Sequence, residues 1–170
     1  ARKNIALTFK NAQKNDLYTV DDIISNSAQM AEMKEKIIRI ANTDSSVLIW
    51  GESGTGKELV AQSLHTASNR KNKKFVSQNC AAIPSTLLES ILFGTTKGSF
   101  TGAENRAGIF EVANGGTIFL DEINSMGMDV QAKILKAIEE KQIKRIGGVE
   151  PISIDVKIVA AMNADPIECV

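Results

Sequence analysis

Residues that can hold phosphate groups stand between a short apolar run and a helical pattern. The run G-E-S-G-T-G-K-E at residues 51–58 follows V-L-I-W and precedes L-V-A-Q-S-L. Glycine has no Cβ atom, so the backbone can approach a ligand closely and point its N–H groups at phosphate oxygens near the start of the helix. Lys57 adds a positive charge for the β- and γ-phosphates. We therefore predict a nucleotide site formed by Gly51, Glu52, Ser53, Gly54, Thr55, Gly56, Lys57 and Glu58.

One position of this run departs from the general phosphate-loop pattern. That pattern has Ser or Thr after the lysine, where the hydroxyl binds Mg²⁺, and here the residue is Glu58. The alternative interpretation is a glycine turn that only joins a strand to a helix.

Two acidic residues, Asp121 and Glu122, close a second apolar run. Buried acids are costly without a partner, and in phosphoryl transfer an aspartate holds Mg²⁺ while a further residue orients or deprotonates the nucleophile. Asp121 is therefore the candidate metal ligand and Glu122 the candidate catalytic residue. The alternative is that both acids only cap the next helix. Asn79 and Asn163 also end predicted strands, where Asn79 could bond Glu122 and Asn163 could reach a γ-phosphate.

The run G-S-F-T-G-A at residues 98–103 carries an aromatic residue on a glycine-framed loop. Phe100 belongs to no apolar period, and its neighbours in sequence offer it no apolar partner at strand or helix spacing. An aromatic side chain on such a loop is typical of a contact surface, so Phe100 is predicted to be mobile and largely exposed. The alternative is that its ring folds back into the core.

The elements that must position these residues alternate along the chain. Apolar periodicity predicts helices near 28–42, after the glycine loop, after Pro84 with Leu87 and Leu88 on its apolar side, at 108–113, and around 130–138 with Leu135. It predicts strands at 47–50, 75–78, 117–120 and 156–161, and a hairpin at 143–154. This alternation predicts an α/β fold whose mostly parallel sheet has helices on both faces. Ligands bind such sheets at the carboxyl ends of the strands, where the polar groups above lie.

The bulk composition excludes several classes of protein. The 170 residues suit one domain, and 20 basic residues balance 20 acidic ones, so the overall basic footprint of a nucleic-acid binder is absent. The basic run 70–74 is interpreted as a solvated loop, and His65 as a structural residue. Cys80 and Cys169 are predicted to be free thiols in a reducing cytoplasm. No apolar run is long enough to span a bilayer and no signal peptide is present, so we expect no membrane contact.

The chain resembles the central AAA+ ATPase domain of bacterial enhancer-binding proteins, the activators of sigma-54 RNA polymerase. The likeness runs from about Tyr18 to Val170. It rests on G-E-S-G-T-G-K-E at 51, N-C-A-A-I-P at 79, G-S-F-T-G-A at 98, G-G-T-I-F-L-D-E-I at 115 and D-V-K-I-V-A-A-M-N at 155. Glu58, unusual for phosphate loops at large, is what this family normally has. The opening N-D-L-Y-T-V-D-D-I-I is similar to activators of arginine and amino-acid catabolism.

The resemblance implies a role for each candidate residue. The glycine loop, or Walker A motif, binds ATP; Asp121 of the Walker B motif organises Mg²⁺, and Glu122 activates water. Asn79 holds that glutamate until the γ-phosphate is engaged, and Asn163 is the sensor I residue. Glu111 and Arg145 form a pair that couples the tip loop to a second loop around residues 146–148. The tip loop that contacts sigma-54 consists of Gly98, Ser99, Phe100, Thr101, Gly102 and Ala103.

The resemblance also implies an assembly and a larger protein. The family works as a hexamer on sigma-54 RNA polymerase holoenzyme, and it contacts DNA through a separate helix-turn-helix domain. We expect residues 1–20 to be a linker and 21–170 the α/β core, with the helical lid, the trans-acting arginines and the DNA-binding domain beyond Val170 and a sensory domain before Ala1. The chain by itself is then expected to hydrolyse almost no ATP.

Some positions differ from the family pattern. These positions are Ser25, Ile91, Thr95, Thr96, Ser99 and Met162. Because of them, the resemblance predicts ATP binding more firmly than movement of the tip loop. Two other functions stay open: a nucleotide-binding or interaction module without turnover, and a different phosphate-loop enzyme such as a small-molecule kinase. The tip loop argues against a kinase, which would need an acceptor site there.

Overall fold

The computed structural model describes residues 17–167 of the chain. Within them, every α-helix is followed by one or more strands. The helices are α1 (Ala28–Ala41), α2 (Lys57–Thr66), α3 (Ser85–Phe93), α4 (Ile109–Val112) and α5 (Met128–Glu140). The strands are β1 (Val47–Trp50), β2 (Phe75–Asn79), β3 (Gly94–Thr95), β4 (Arg106–Ala107), β5 (Thr117–Asp121), β6 (Gln142–Ile143), β7 (Ile152–Ser153) and β8 (Lys157–Met162).

Four of these strands form one parallel sheet in the order β1-β8-β5-β2. The register pairs Trp50 with Met162, Leu120 with Ala160, and Asn79 with Asp121. All four strands therefore end at the same edge of the sheet, which is where an α/β fold places its ligands. The predicted mostly parallel sheet with helices on both faces is confirmed.

The two faces of the sheet carry separate apolar cores. Successive side chains of a strand point to opposite faces, and along β5 Ile118 and Leu120 enter one core while Phe119 enters the other. The larger core packs α3, α4 and α5 against the sheet, and the smaller one packs α1 and α2. Both faces are therefore covered, as parallel sheets require.

The segment before α1 is part of the smaller core. Leu17 and Val20 pack against it, and Ile23 is buried in it. The Tyr18 N–H donates to Gln62 Oε1 at 2.9 Å, which fastens this segment to α2. Residues 1–16 of the predicted linker and the predicted free thiol Cys169 lie outside the described residues.

Two sequence predictions about exposure are wrong, and a third holds only in part. Leu87 and Leu135, expected on apolar helix faces, are 55% and 56% exposed. Leu87 precedes the buried Leu88, and Leu135 follows the buried Ile134. Because successive side chains of a helix point about 100° apart, the two members of each pair cannot both face the sheet. In the basic run predicted to be a solvated loop, residues 71–74 are exposed but Arg70 is partly buried, and its guanidinium donates to Asp155 Oδ1 at 2.6 Å and to the Asp155 carbonyl at 3.1 Å. Within residues 17–167, no helix is long and apolar enough to cross a membrane.

Candidate nucleotide site and partner loop

The glycine loop turns sharply between β1 and α2. Gly54 and Gly56 have φ values of 81° and 86°, a left-handed conformation that favours glycine. The Lys57 Nζ donates to the carbonyl oxygens of Gly51 at 2.9 Å and Glu52 at 2.8 Å. The ammonium group therefore lies beside the loop, where it could contact a phosphate bound by the loop N–H groups.

Glu58, the departure from the general pattern, has a hydrogen bond within α2. Its Oε1 accepts from Gln62 Nε2 at 3.2 Å, and Gln62 in turn accepts from the Tyr18 N–H. Thr66 Oγ1 donates to the Tyr18 carbonyl at 3.0 Å. Glu58 thus begins a chain of hydrogen bonds that holds the segment before α1 against α2.

The two acids lie at the end of β5, beside the end of β2. The Glu122 backbone is left-handed, with φ 55° and ψ 48°, and its N–H donates to Asp121 Oδ1 at 3.0 Å. Such a conformation costs a non-glycine residue of order 1–3 kcal/mol, and strain of this kind clusters at functional sites. With this backbone conformation, the Glu122 side chain points in a different direction from the one it would have if β5 continued through residue 122.

Asn79, at the end of β2, contacts Glu122. Its Nδ2 donates to Glu122 Oε2 at 3.4 Å, a long hydrogen bond. Its Oδ1 accepts from the N–H groups of Ala81 at 2.9 Å and Ala82 at 3.1 Å. The amide orientation is therefore set by two backbone donors, which leaves the NH₂ group for the glutamate.

Asn163 follows β8, between the strands that lead to the glycine loop and to the acids. The Gly51 N–H donates to the Met162 carbonyl at 3.3 Å, so Asn163 is next to the glycine loop. Its Oδ1 accepts from Asn124 Nδ2 at 3.0 Å. Asn124 was not among the predicted site residues, although it is a polar residue only two positions after Glu122.

The residues at this edge suit a magnesium ion that is shared with phosphate groups. Within residues 17–167, no group of three or more His, Cys, Asp or Glu side chains is arranged to hold a metal by itself. Mg²⁺ usually takes one or two carboxylates and completes its shell with water and substrate phosphates. The Asp121 carboxylate, with one oxygen bonded to the Glu122 N–H, fits that arrangement.

A buried thiol lies beside the acids. Cys80 is 2% exposed, and burial together with the charges of Asp121 and Glu122 raises its pKa to about 12. A thiol with such a pKa is a poor nucleophile. Cys80 is free, and it serves as a small apolar residue of the larger core.

The tip loop lies between β3 and β4, after α3, and folds back on itself. Gly98 and Gly102 are left-handed, with φ 83° and 85°, and the Ala103 N–H donates to the Phe100 carbonyl at 2.9 Å. Phe100 is 52% exposed, in line with the prediction of exposure. Phe100 lines a groove of about 540 Å³ together with Ile83, Leu87 and Ile91, apolar residues that lie at least nine positions away in sequence.

The base of the tip loop is docked on the hairpin that joins β6 to β7. Thr96 N donates to the Ile146 carbonyl, and Ile146 N donates to the Gly94 carbonyl, each at 3.0 Å. A Cβ atom on Gly147 would lie 2.5 Å from Ser99 Cβ, so only glycine permits this approach. The Ser99 hydroxyl is buried there without a hydrogen-bond partner.

Glu111 and Arg145 meet in a two-point ion pair. Arg145 Nε donates to Glu111 Oε1 at 2.8 Å, and Arg145 Nη2 donates to Glu111 Oε2 at 2.6 Å. The hydrogen bond from Arg145 lowers the pKa of Glu111, and the same bond raises the pKa of Arg145. Because Arg145 directly precedes Ile146, the pair joins α4 to the hairpin on which the tip loop is docked.

The structure therefore separates the predicted residues into two groups. The glycine loop, Asn79, the two acids and Asn163 meet at the carboxyl edge of the sheet. The tip loop, Glu111 and Arg145 form a second group around the hairpin. The segment after Asn79 connects the two groups, because the Ala82 N–H donates to Asn79 Oδ1 and Ala82 also lines the groove beside Phe100.

A family model described as the sigma-54 interaction domain matches residues 23–170. The transcriptional activator RocR of Bacillus subtilis is 51% identical over 160 residues, which is 94% of this chain and 35% of RocR. A signal-transduction and transcriptional-control protein of Clostridium beijerinckii is 54% identical over 86% of this chain and 23% of its own length. The chain thus spans about a third or less of these curated relatives.

Solved structures show the same fold. NtrX from Brucella abortus, in complexes with ADP and with ATP, is 35% identical with a TM-score of 0.78; each covers 86% of this chain, and 32% and 31% of NtrX. A P-loop NTPase domain of a sigma-54 transport activator from E. coli matches with a TM-score of 0.57 and 16% identity, over 85% of this chain and 82% of its own. The second likeness concerns the fold alone.

Proposed function

The chain belongs to the sigma-54 interaction domain family of AAA+ P-loop proteins, and we propose that it is the ATP-binding and ATP-hydrolysing core of a sigma-54-dependent transcriptional activator. The observation that carries this proposal is the meeting of the glycine loop, Asp121, Glu122 and Asn79 at one edge of a parallel sheet. Nucleotide binding is supported by the NtrX complexes with ADP and ATP.

The proposed reaction is attack of water on the γ-phosphate, which breaks the bond to the bridging oxygen of the β-phosphate and releases ADP and inorganic phosphate. Loop N–H groups and the Lys57 ammonium bind the phosphates. Two of the three ammonium donors are bonded to the Gly51 and Glu52 carbonyl groups, and the third is left for a phosphate oxygen. Mg²⁺, held by Asp121, would neutralise charge on the phosphates. Glu122 accepts the proton of the attacking water, once its carboxylate leaves Asn79. Asn163 donates a hydrogen bond to the γ-phosphate.

The proposed partner is the sigma-54 RNA polymerase holoenzyme. Residues 98–103 present Phe100 and Thr101 to it, and Glu111 with Arg145 couples this loop to the hairpin. In the longer protein we propose a cytoplasmic hexamer that binds DNA through another domain. Of the linker expected at 1–20, residues 17–20 pack with the α/β core expected at 21–170, so the proposed linker is limited to residues 1–16. The catabolic pathway under control, suggested by the likeness to amino-acid catabolism regulators, stays a prediction.

Nucleotide binding is tested with Lys57→Ala. Removal of the charged donor should weaken Mg²⁺-ATP binding at least tenfold, because hydrogen bonds to charged groups contribute about 1.5–3 kcal/mol and about 1.4 kcal/mol is a factor of ten. Isothermal titration calorimetry measures the affinity, with Lys71→Ala, an exposed loop lysine, as the matched control. Equal affinities for Lys57→Ala and wild type would contradict the site.

Turnover is tested in the full-length protein with the two acids. Glu122→Ala should retain ATP binding and lose roughly 10²–10⁴-fold in kcat, the usual contribution of a general base. Asp121→Ala should instead weaken Mg²⁺-dependent binding. ATP hydrolysis and nucleotide affinity are measured for both variants. A module without turnover would show no ATPase activity in the wild type, and one phenotype for both variants would refute the division of roles.

A further inference from the structure

We propose that Asn124 is a positioning residue of the nucleotide site, which turns the Asn163 amide so that its NH₂ group faces the γ-phosphate. The inference rests on the proposed nucleotide-binding function. Its basis is the hydrogen bond from Asn124 Nδ2 to Asn163 Oδ1, 3.0 Å long, between residues that are 39 positions apart.

The orientation of this amide matters because its two ends have opposite polarity. The oxygen of an Asn side chain only accepts hydrogen bonds and its NH₂ group only donates, whereas phosphate oxygens at neutral pH only accept. Asn163 is solvent-exposed at the end of β8, and either orientation is sterically possible for an amide whose oxygen has no fixed partner. The Asn124 donor occupies the oxygen and so selects one orientation.

The NH₂ group of Asn163 is then left for a ligand. Within residues 17–167, Asn163 Nδ2 donates to no protein acceptor, so the group that Asn124 leaves free is the group that a phosphate needs. The neighbouring carboxylates of Asp121 and Glu122 already accept hydrogen bonds from other donors. The arrangement therefore favours an added acceptor beside the glycine loop.

Asn124 lies in a short turn that directly follows Glu122. Glu122 has a left-handed backbone, and residues Ile123–Ser125 form one turn of 3₁₀ helix. The Glu122 carbonyl accepts from the Ser125 hydroxyl at 2.6 Å and from the Ser125 N–H at 3.0 Å. The turn that carries Glu122 therefore also carries the donor to Asn163, so the two catalytic candidates are positioned together.

A residue that affects binding only through the γ-phosphate should affect the affinity for ATP and not the affinity for ADP, which lacks that phosphate. Loss of the Asn124 donor should weaken the binding of a nucleotide triphosphate and leave ADP affinity unchanged. A residue with a merely structural role would weaken both nucleotides to the same degree, or lower the melting temperature without a change in their ratio. The ratio of the two affinities is therefore the decisive quantity.

The experiment compares AMP-PNP with ADP, both with Mg²⁺, by calorimetry on the 170-residue chain. Asn124→Ala should weaken AMP-PNP binding about 3- to 10-fold, the range of one net hydrogen bond, and change ADP binding less than twofold. Asn124→Asp should weaken it more, because a carboxylate accepts hydrogen bonds, turns the Asn163 amide round and adds a negative charge. Asn72→Ala, an exposed loop asparagine, is the matched control.

A double-mutant cycle tests whether Asn124 acts through Asn163. Asn163→Ala alone should reduce AMP-PNP affinity, and addition of Asn124→Ala should cause no further loss. Additive losses, equal losses for AMP-PNP and ADP, or an Asn124→Asp variant that matches wild type would overturn the inference. If the wild-type chain bound neither nucleotide, the proposed function would fail first, and that result is distinct from a failure of the Asn124 inference alone.

Discussion

Phe100 presents half of its ring to water at the tip of a loop framed by two left-handed glycines. An aromatic side chain gains free energy when it leaves water, and here one side of the ring meets the groove lined by Leu87 and Ile91. The exposed side remains available to a partner. The loop is thus suited to a contact that buries the rest of the ring.

We expect Phe100→Ala to change the free energy of unfolding by less than about 1 kcal/mol, because a buried Phe→Ala change costs roughly 3–5 and this ring is half exposed. In the full-length protein the variant should keep ATPase activity within a few-fold and lose sigma-54 binding in the presence of a transition-state analogue. Urea denaturation and a binding assay measure the two effects. Thr43→Ala, far from the tip loop, is a control for the binding assay.

A large loss of stability in Phe100→Ala would show that the Phe100 ring is a core residue packed in this groove. Unimpaired sigma-54 binding would instead remove the tip loop from the interface. The two outcomes are independent, because stability reports the contacts inside the chain and binding reports the exposed side of the ring.

The C-terminal end of helix α1 is capped by a buried lysine from strand β8. Lys157, the first residue of β8, is 3% exposed, and its Nζ donates to the carbonyl oxygens of Ile40 at 2.7 Å, Ala41 at 2.9 Å and Thr43 at 2.7 Å. The last carbonyl groups of a helix have no partner within the helix, and the negative end of the helix dipole favours a cation. Burial lowers the pKa of Lys157, and the three carbonyl groups provide the partners that a buried ammonium needs.

We expect Lys157→Met to destabilise the fold by about 1–3 kcal/mol, since the methionine fills a similar volume and leaves buried carbonyl groups without a donor. Thermal unfolding followed by circular dichroism gives the change, and hydrogen exchange should show earlier opening at the end of α1. Lys136→Met, on the exposed side of α5, is the matched control. Equal melting temperatures for the two variants would mean that water replaces the lysine without cost.

For the molecule as a whole, one histidine makes stability depend on pH. His65 lies between α2 and the sheet, 1% exposed, with Nδ1 at 2.9 Å from Thr117 Oγ1 and its ring 5.4 Å from that of Phe75. Burial lowers its pKa from 6.5 to about 4. The folded state therefore holds a neutral imidazole where the unfolded chain binds a proton.

The sign of the effect follows from the lowered pKa. Above about pH 6.5 both states are neutral and the contribution of His65 is fully present; as pH falls from 6.5 towards 4, the unfolded state gains a proton and stability is lost. Urea midpoints at pH 7, 6 and 5 should decline for the wild type and decline less for His65→Gln. Parallel profiles would show that the imidazole titrates equally in both states.

The sequence by itself determined the elements and the chemistry at their ends. The glycine loop, the acids after β5 and the asparagines after β2 and β8 are readable because each depends on residues that are neighbours in the chain, and a parallel sheet brings strand ends to one edge. The alternation of strands and helices was sufficient to predict that sheet, since apolar periodicity is a local property.

Only the tertiary structure decided which side chains meet. The Asn124–Asn163 bond and the Lys157 contacts with the end of α1 join residues 39 and up to 117 positions apart, and neither pair has a local signal. The groove beside Phe100 likewise depends on which face of α3 turns outward, and Leu87 faces it although its helix pattern suggested burial. Such contacts depend on strand register, on the left-handed turn at Glu122 and on helix rotation, which are set when the whole chain packs.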